Sequence, residues 1–244
     1  MTEELFRDDA TLRECSAKVL ALSEGAVILD RTVFYPLGGG QAGDAGTLVL
    51  ADGRRVVVTE ARKSKQSEEH PGAVLHLLAP GTDLSLLAPG TALTAQIDWA
   101  RRHAHMRFHT ATHLLCALVP HPVDGCSITA GYTRLDFHML EPLDKDALTA
   151  GIARLVAGAH GVRHRWISET ELDANPGLVR SMSVQPPRGL GRIRVLEIEG
   201  VDLQPCGGTH VANSAEIGAV VVTKIEKKSA MTRRVVLGLA DTPI

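Results

Sequence analysis

Hydrophobic positions along this chain follow two rhythms, and the change falls near residue 98. Before it, short apolar runs at 26–30 (AVILD), 46–50 (GTLVL), 54–63 (RRVVVTEARK), 72–78 (GAVLHLL) and 90–98 (GTALTAQID) alternate with glycine-bearing turns. Runs this short, aliphatic and regularly spaced predict the strands of a small β-barrel. From Trp99 the period lengthens. The segment 99–119 (WARRHAHMRFHTATHLLCALV) repeats its apolar residues every three to four positions, contains no Pro or Gly, and stops at Pro120, which predicts a long helix. Beyond it the pattern predicts a strand at 132–140, a helix at 145–160 ended by Gly161, a short helical piece near 169–181, a strand at 191–200 and a hairpin at 218–239. The expected class is α+β: a small N-terminal β-barrel domain over 1–97, then an α+β core over 98–244 with a mainly antiparallel sheet. No internal repeat or low-complexity tract interrupts it.

Composition narrows the classes. With 244 residues and 44% hydrophobic content the chain can bury a substantial core. It has no run of about eighteen apolar residues and begins with an acidic stretch, so a soluble, unexported, cytoplasmic protein with no membrane partner is expected. Four scattered cysteines do not make a disulfide framework, which leaves cysteine free to bind metal. The net charge of −2 hides a drift from acidic in the first hundred residues to basic in the last. Basic residues gather at 101–107, 163–165, 188–194 and 224–234, either as a local RNA-facing surface or as solvated faces. An aromatic content of 3% argues against an extensive base-stacking surface.

Two motifs carry candidate chemistry. In HTATH, His109 and His113 stand one helical turn apart and can aim two imidazoles at one ion. Thr110 occupies the position where a zinc peptidase helix needs Glu, which excludes that class. In CGGTH, two glycines separate Cys206 from His210, and glycine tolerates the positive φ of a tight loop. Together these offer one thiolate and three imidazoles, a donor set suited to tetrahedral Zn²⁺; the alternative is a glycine turn with a buried thiol. Cys116 reads as an apolar helix residue, and His103 and His105 as surface or nucleic-acid contacts. A third motif, GGGQAGD (38–44), lacks the Lys-Ser/Thr of a phosphate loop, so no nucleotide cofactor is expected. It reads either as a barrel turn or as a loop facing a ligand. Asp202 is placed to orient a ligand histidine.

HTATHLL and CGGTH, together with LGGGQAGDAG at 37–46, resemble the stand-alone alanyl-tRNA editing proteins of the AlaX type, medium form, which are similar to the editing domain of alanyl-tRNA synthetase. The resemblance covers nearly the whole chain. It implies a zinc-dependent aminoacyl-tRNA deacylase whose Zn²⁺ is held by His109, His113, Cys206 and His210. Its partner would be tRNA(Ala) carrying the wrong amino acid, chiefly serine and also glycine. It also implies that Gly39, Gly40 and Gln41 face the substrate and that Thr129 reads the serine hydroxyl. The basic clusters suggest Arg101, Arg102, Arg188, Arg192 and Arg233 as tRNA contacts, with Pro186 and Pro187 stiffening the loop before Arg188. The sequence departs from the family at 227–234, where the expected hairpin glycines are missing. The competing readings are a non-catalytic zinc-stabilised tRNA-binding module and a zinc hydrolase of another mischarged tRNA or small ester. Four protein ligands complete a tetrahedral shell whereas catalysis needs an open position, so structural and catalytic zinc both stand.

Overall fold

The computed structural model describes residues 2–65, 69–182, 185–186, 188–189 and 191–240. It is mostly sheet, with a six-stranded barrel and few helices, compatible with the α+β class. The chain divides into two compact units, Met1–Gly38 with Ala42–His103 and Gly39–Gln41 with Ala104–Ile244. Pro187 and Leu190, from the loop expected to be stiff, lie outside the described residues.

In the first unit a two-residue parallel pair joins β1 (Glu3–Glu4) to β4 (Arg31–Thr32). The barrel closes through β2 (Glu14–Ser23), β3 (Ala26–Leu29), β7 (Val74–Leu78), β6 (Arg55–Lys63), β5 (Gly46–Leu50) and β8 (Ala92–Ile97), in that order and antiparallel throughout. Closure leaves no free sheet edge. Val27, Leu29, Phe34, Leu48 and Val58 fill the interior. The barrel strand absent from the sequence reading is β2. Ala17 and Val19 point inward between exposed Ser16, Lys18 and Leu20, a short alternation blurred by the aliphatic residues that follow.

Two buried polar features hold this unit. Arg102 is completely buried, and its guanidinium forks onto Asp44, with Nε 2.9 Å from Oδ2. It also donates to the carbonyls of Ala10 (2.8 Å) and Val33 (2.6 Å), while Asp44 accepts from the Tyr35 amide at 2.7 Å. Burial pushes the Asp44 carboxyl upward, opposed chiefly by the Arg102 charge. The expectation that Arg102 contacts tRNA is therefore corrected: a guanidinium enclosed on all sides has no surface to offer a phosphate. Arg101 is half-buried and donates to the Gly43 carbonyl (3.1 Å).

The second feature is His76. Its Nδ1–H donates to the Val27 carbonyl (3.0 Å), and Nε2 lies 2.7 Å from the Thr32 hydroxyl. Burial lowers its pKa to about 4. Between pH 6.5 and 4 the unfolded chain binds a proton that the folded barrel refuses, so stability present above pH 6.5 is lost as pH falls through this window. The loss from this group should reach about 3 kcal/mol. Urea titrations at stepped pH should show it, and His76→Met should flatten the slope; an unchanged slope would refute the assignment.

The second unit is built on α1 (Trp99–Leu118), whose residues from Ala104 onward belong to it. Met106, Phe108, Leu114 and Leu115 bury its apolar stripe. His105 is also fully buried, which corrects its reading as a surface residue. His103, in the first unit, stacks on Trp99. A four-stranded antiparallel sheet runs β14 (Val220–Lys227), β15 (Thr232–Leu239), β10 (Thr133–His138), β9 (Val123–Ile128). Helix α2 (Lys145–Ala157) packs on β14, its first turn capped by Asp144. A three-stranded sheet, β11 (Val162–Ser168), β12 (Arg192–Ile198), β13 (Asp202–Pro205), carries the second ligand loop at its end. The segment expected to be helical near 169–181 forms α3 (Glu169–Ala174), started by a Ser168–Glu171 capping box, and a 3₁₀ turn at Pro176–Leu178. Among the described residues no helix is long and apolar enough to cross a membrane.

Candidate metal centre

Helix geometry places His109 and His113 on one face with ring centroids 5.6 Å apart. The loop after β13 brings Cys206 and His210 to the same point. The His210 ring lies 4.3 Å from that of His109 and 5.1 Å from that of His113. Cys206 Sγ is 3.2 Å from His210 Nε2 and 3.5 Å from His109 Nε2, and the four donor atoms lie within 4.8 Å of one another. Tetrahedral zinc with its usual bond lengths sets neighbouring N and S ligands roughly 3.3–3.6 Å apart. The donor types and their spacing therefore fit that ion.

Each imidazole is held from behind. Nδ1 of His109 meets Gln41 Oε1 at 2.8 Å, Nδ1 of His113 meets Asp202 Oδ2 at 2.8 Å, and Nδ1 of His210 meets the Thr110 hydroxyl at 3.3 Å. Thr110 gives its own proton to the Met106 carbonyl, so it accepts from His210. Outer partners of this kind fix the tautomer that leaves Nε2 free for a metal. The side chain of Asp202 is itself buried and receives both contacts of the Gln204 amide (2.8 and 3.0 Å). Arg194 Nη1 braces the loop through the carbonyls of Cys206 (2.8 Å) and Gly208 (3.2 Å).

The glycines act through space. Neither Gly207 nor Gly208 adopts the positive φ that the motif suggested. A Cβ on Gly208 would fall 2.1 Å from His109 Cε1, so the missing side chain is what admits the ring. Gly40 does take φ +84°, and a Cβ there would press on the Cys126 carbonyl at 3.0 Å.

Electrostatics favour the ligating forms of two donors. Burial pushes the Cys206 thiol up, but the surrounding imidazoles, His109 foremost, and the hydrogen bonds from His109 and His113 outweigh it and hold it well below its ordinary value. Burial and the neighbouring His109 charge bring His210 down to about 3, keeping it neutral. His113 goes the other way: burial lowers it, but Asp202 and Cys206 raise it to about 10. A metal must therefore displace the His113 proton. Cys116 and Cys126 are pushed up to about 12, chiefly by burial, and remain thiols.

The other expected site residues fall in different places. Gln41 is completely buried, and its carboxamide turns toward the cluster. The Thr129 hydroxyl closes the β9–β10 turn, donating to the Tyr132 carbonyl (2.8 Å) and accepting from its amide (3.1 Å). Ile128, the residue before it, donates to the Gly40 carbonyl at 2.8 Å. Arg233 is buried and donates to the carbonyls of Leu140, Ser229 and Ala230, so it holds the β14–β15 turn and the expected tRNA contact is corrected. Exposed Arg188 pairs with Asp173 at 2.8 Å. Exposed Arg192 lies 4.5 Å over the ring of Trp166, a residue the sequence reading passed over. Thr110, Thr209 and Arg194 were also missed; their local sequence gives no sign that they bond across the site.

Residues 193–236 match the model described as "Threonyl and Alanyl tRNA synthetase second additional domain", and residues 6–101 match that of "tRNA synthetases class II (A)". The alanyl-tRNA editing protein AlaX-M of Saccharolobus solfataricus is 33% identical, over 96% of this chain and 98% of its own length. The chain belongs to the AlaX-M family of alanyl-tRNA editing proteins. The AlaX-M protein of Methanosarcina mazei is 32% identical over 99% of this chain and 98% of its own. The alanine–tRNA ligase of Pyrococcus furiosus is 32% identical over all of this chain but 26% of its own length, so the AlaX-M unit corresponds to one part of that larger enzyme.

Proposed function

We propose that this protein is a trans-editing aminoacyl-tRNA deacylase that hydrolyses the ester of mischarged Ser-tRNA(Ala), and of Gly-tRNA(Ala), with Zn²⁺ held by His109, His113, Cys206 and His210. The observation that carries it is the convergence of these four side chains in a chain whose full-length relatives are alanyl-tRNA editing proteins. A synthetic site for alanine cannot exclude glycine by size and rejects an added hydroxyl only modestly, so a second hydrolytic site has to correct the product.

The zinc ion, when bound, supplies a polarised ester carbonyl and a water acidic enough to attack near neutral pH. The protein's own residues do the rest. Gln41, Asp202 and Thr110 keep the three imidazoles in one tautomer, and Arg194 holds the loop that carries Cys206. Gly39 and Gly40 give the substrate a backbone surface without side chains, and Thr129 stands two residues past β9's Ser127, beside that loop.

The RNA contact we assign to Trp166, Arg192 and Arg188. Trp166 pairs with Arg194 across β11–β12, and the Cys206 amide donates to the Arg194 carbonyl (3.1 Å), so the three lie in one row across the sheet. Two strand spacings put the Trp166 backbone about 10 Å from that of Cys206. Trp166 stays 41% exposed with Arg192 over its ring, which suits a stacked base and a phosphate.

Deacylation of Ser-tRNA(Ala) and Ala-tRNA(Ala), before zinc removal, after it, and after zinc is restored, tests this reading. Loss of the serine ester only with zinc, and sparing of the alanine ester, is expected; Trp166→Ala should raise KM with little change in kcat. Fully loaded protein that cleaves neither ester would leave a zinc-stabilised tRNA-binding module as the better account.

A further inference from the structure

We propose that Gln41 is a positioning residue of the metal centre, and that its side chain is the clamp joining the two separate ligand motifs. The inference rests on the zinc reading above. Gln41 Oε1 lies 2.8 Å from His109 Nδ1 and accepts the Thr209 amide at 3.1 Å, while Nε2 donates to the Thr209 hydroxyl at 2.9 Å. One carboxamide thus holds a ligand on α1 and the residue next to the ligand His210. No ligand lies on the clamp's own segment, which sits 68 residues before His109 and 168 before Thr209.

The hydrogen-bond arithmetic separates this role from contact with substrate. An amide oxygen has two lone pairs, and both are committed, one to each motif. The nitrogen has one of its two hydrogens on Thr209, and the residue is completely buried. An incoming aminoacyl group would have to take a contact away from a ligand to bind Gln41. The backbone is built to deliver this side chain: Gly39 and Gly40 take φ of +58° and +84°, Gln41 pairs with Ile128, and the Ile128 amide donates to Gly40. On the other side, Gly208 leaves the space that lets the His109 ring lie against Gln41, since a Cβ there would sit 3.0 Å from Gln41 Oε1.

The clamp matters because, among the described residues, the partner behind His109 is the Gln41 carboxamide and not a carboxylate. His113 is oriented by Asp202, which is anchored in turn by Gln204; His109 depends on a neutral amide whose own position depends on Thr209. Losing such an outer partner typically costs 10- to 100-fold in metal affinity.

Zinc affinity of the full-length protein, measured by competition with a chromophoric chelator, tests this. Gln41→Met keeps the volume and removes every hydrogen bond; Gln41→Glu keeps an acceptor for His109 Nδ1–H. The methionine variant should bind zinc about 10- to 100-fold more weakly and the glutamate variant within about threefold of the parent. If the methionine variant does not fold, Gln41→Asn, too short to span both contacts, carries the same expectation. A folded methionine or asparagine variant with parental zinc affinity overturns the clamp while leaving the zinc reading intact. Parent protein that takes up no zinc overturns both.

Discussion

Replacing His109 with alanine or Cys206 with serine should empty the centre of metal and abolish hydrolysis of Ser-tRNA(Ala). Losing an outer partner already costs 10- to 100-fold in affinity or activity, and losing a ligand removes a bond to the ion as well, so a fall of more than about 100-fold is expected. The two variants differ in what they leave behind. Without its ring, His109 frees space against Gly208 and removes one hydrogen bond from Gln41, but the amide of Thr209 still satisfies the Gln41 oxygen. Serine at 206 keeps the shape and removes the soft thiolate, which the surrounding imidazoles otherwise hold well below its usual pKa. Metal content, deacylation and circular dichroism on the same samples decide the outcome. Loss of metal and activity with native spectra marks a catalytic zinc; loss of the spectra as well marks a structural one. Retained activity in a metal-free variant would end the zinc mechanism.

Arg102→Met should destabilise the first unit by about 3–5 kcal/mol, because it leaves the Asp44 carboxylate buried without its counter-charge. The carbonyls of Ala10 and Val33 would lose a donor in the same step. Arg102 and Asp44 are both fully buried, so solvent cannot take over either role. Removing both charges, as Arg102→Met with Asp44→Asn, should recover part of the loss, since the cost lies in the orphaned ion rather than in the missing attraction. Urea denaturation followed by tryptophan emission reports it, and a penalty below about 1 kcal/mol for the single variant would contradict the account.

How legible these features were in the sequence depends on the range of the interaction. Helix α1 was readable because its period runs unbroken from Trp99 and ends before Pro120, and β5 because Gly46–Leu50 is a clean aliphatic run. Strands β9, β11 and β13 were not, since VDGCSI, VRHRWIS and DLQP mix charge, glycine and proline with few apolar positions. The four proposed ligands were readable from two short spacings. Of their supports, Asp202 was expected to orient a ligand histidine and does so for His113; the roles of Gln41 and Arg194 were not readable, because they act on partners far along the chain or on backbone carbonyls. Arg102 misled for the same reason. It sits in a locally basic stretch, and only its pairing with Asp44, 58 residues earlier, turns it from a surface charge into a core one.

The close approach of Gly208 to the His109 ring has a practical consequence. A methyl group at 208 would evict the ring, and its nearest neighbours, His109 and Gln41, are not part of the proposed RNA contact at Trp166 and Arg192. Gly208→Ala is therefore the natural starting point for a substrate trap, a form of the protein that captures charged tRNA and releases it unhydrolysed for sequencing.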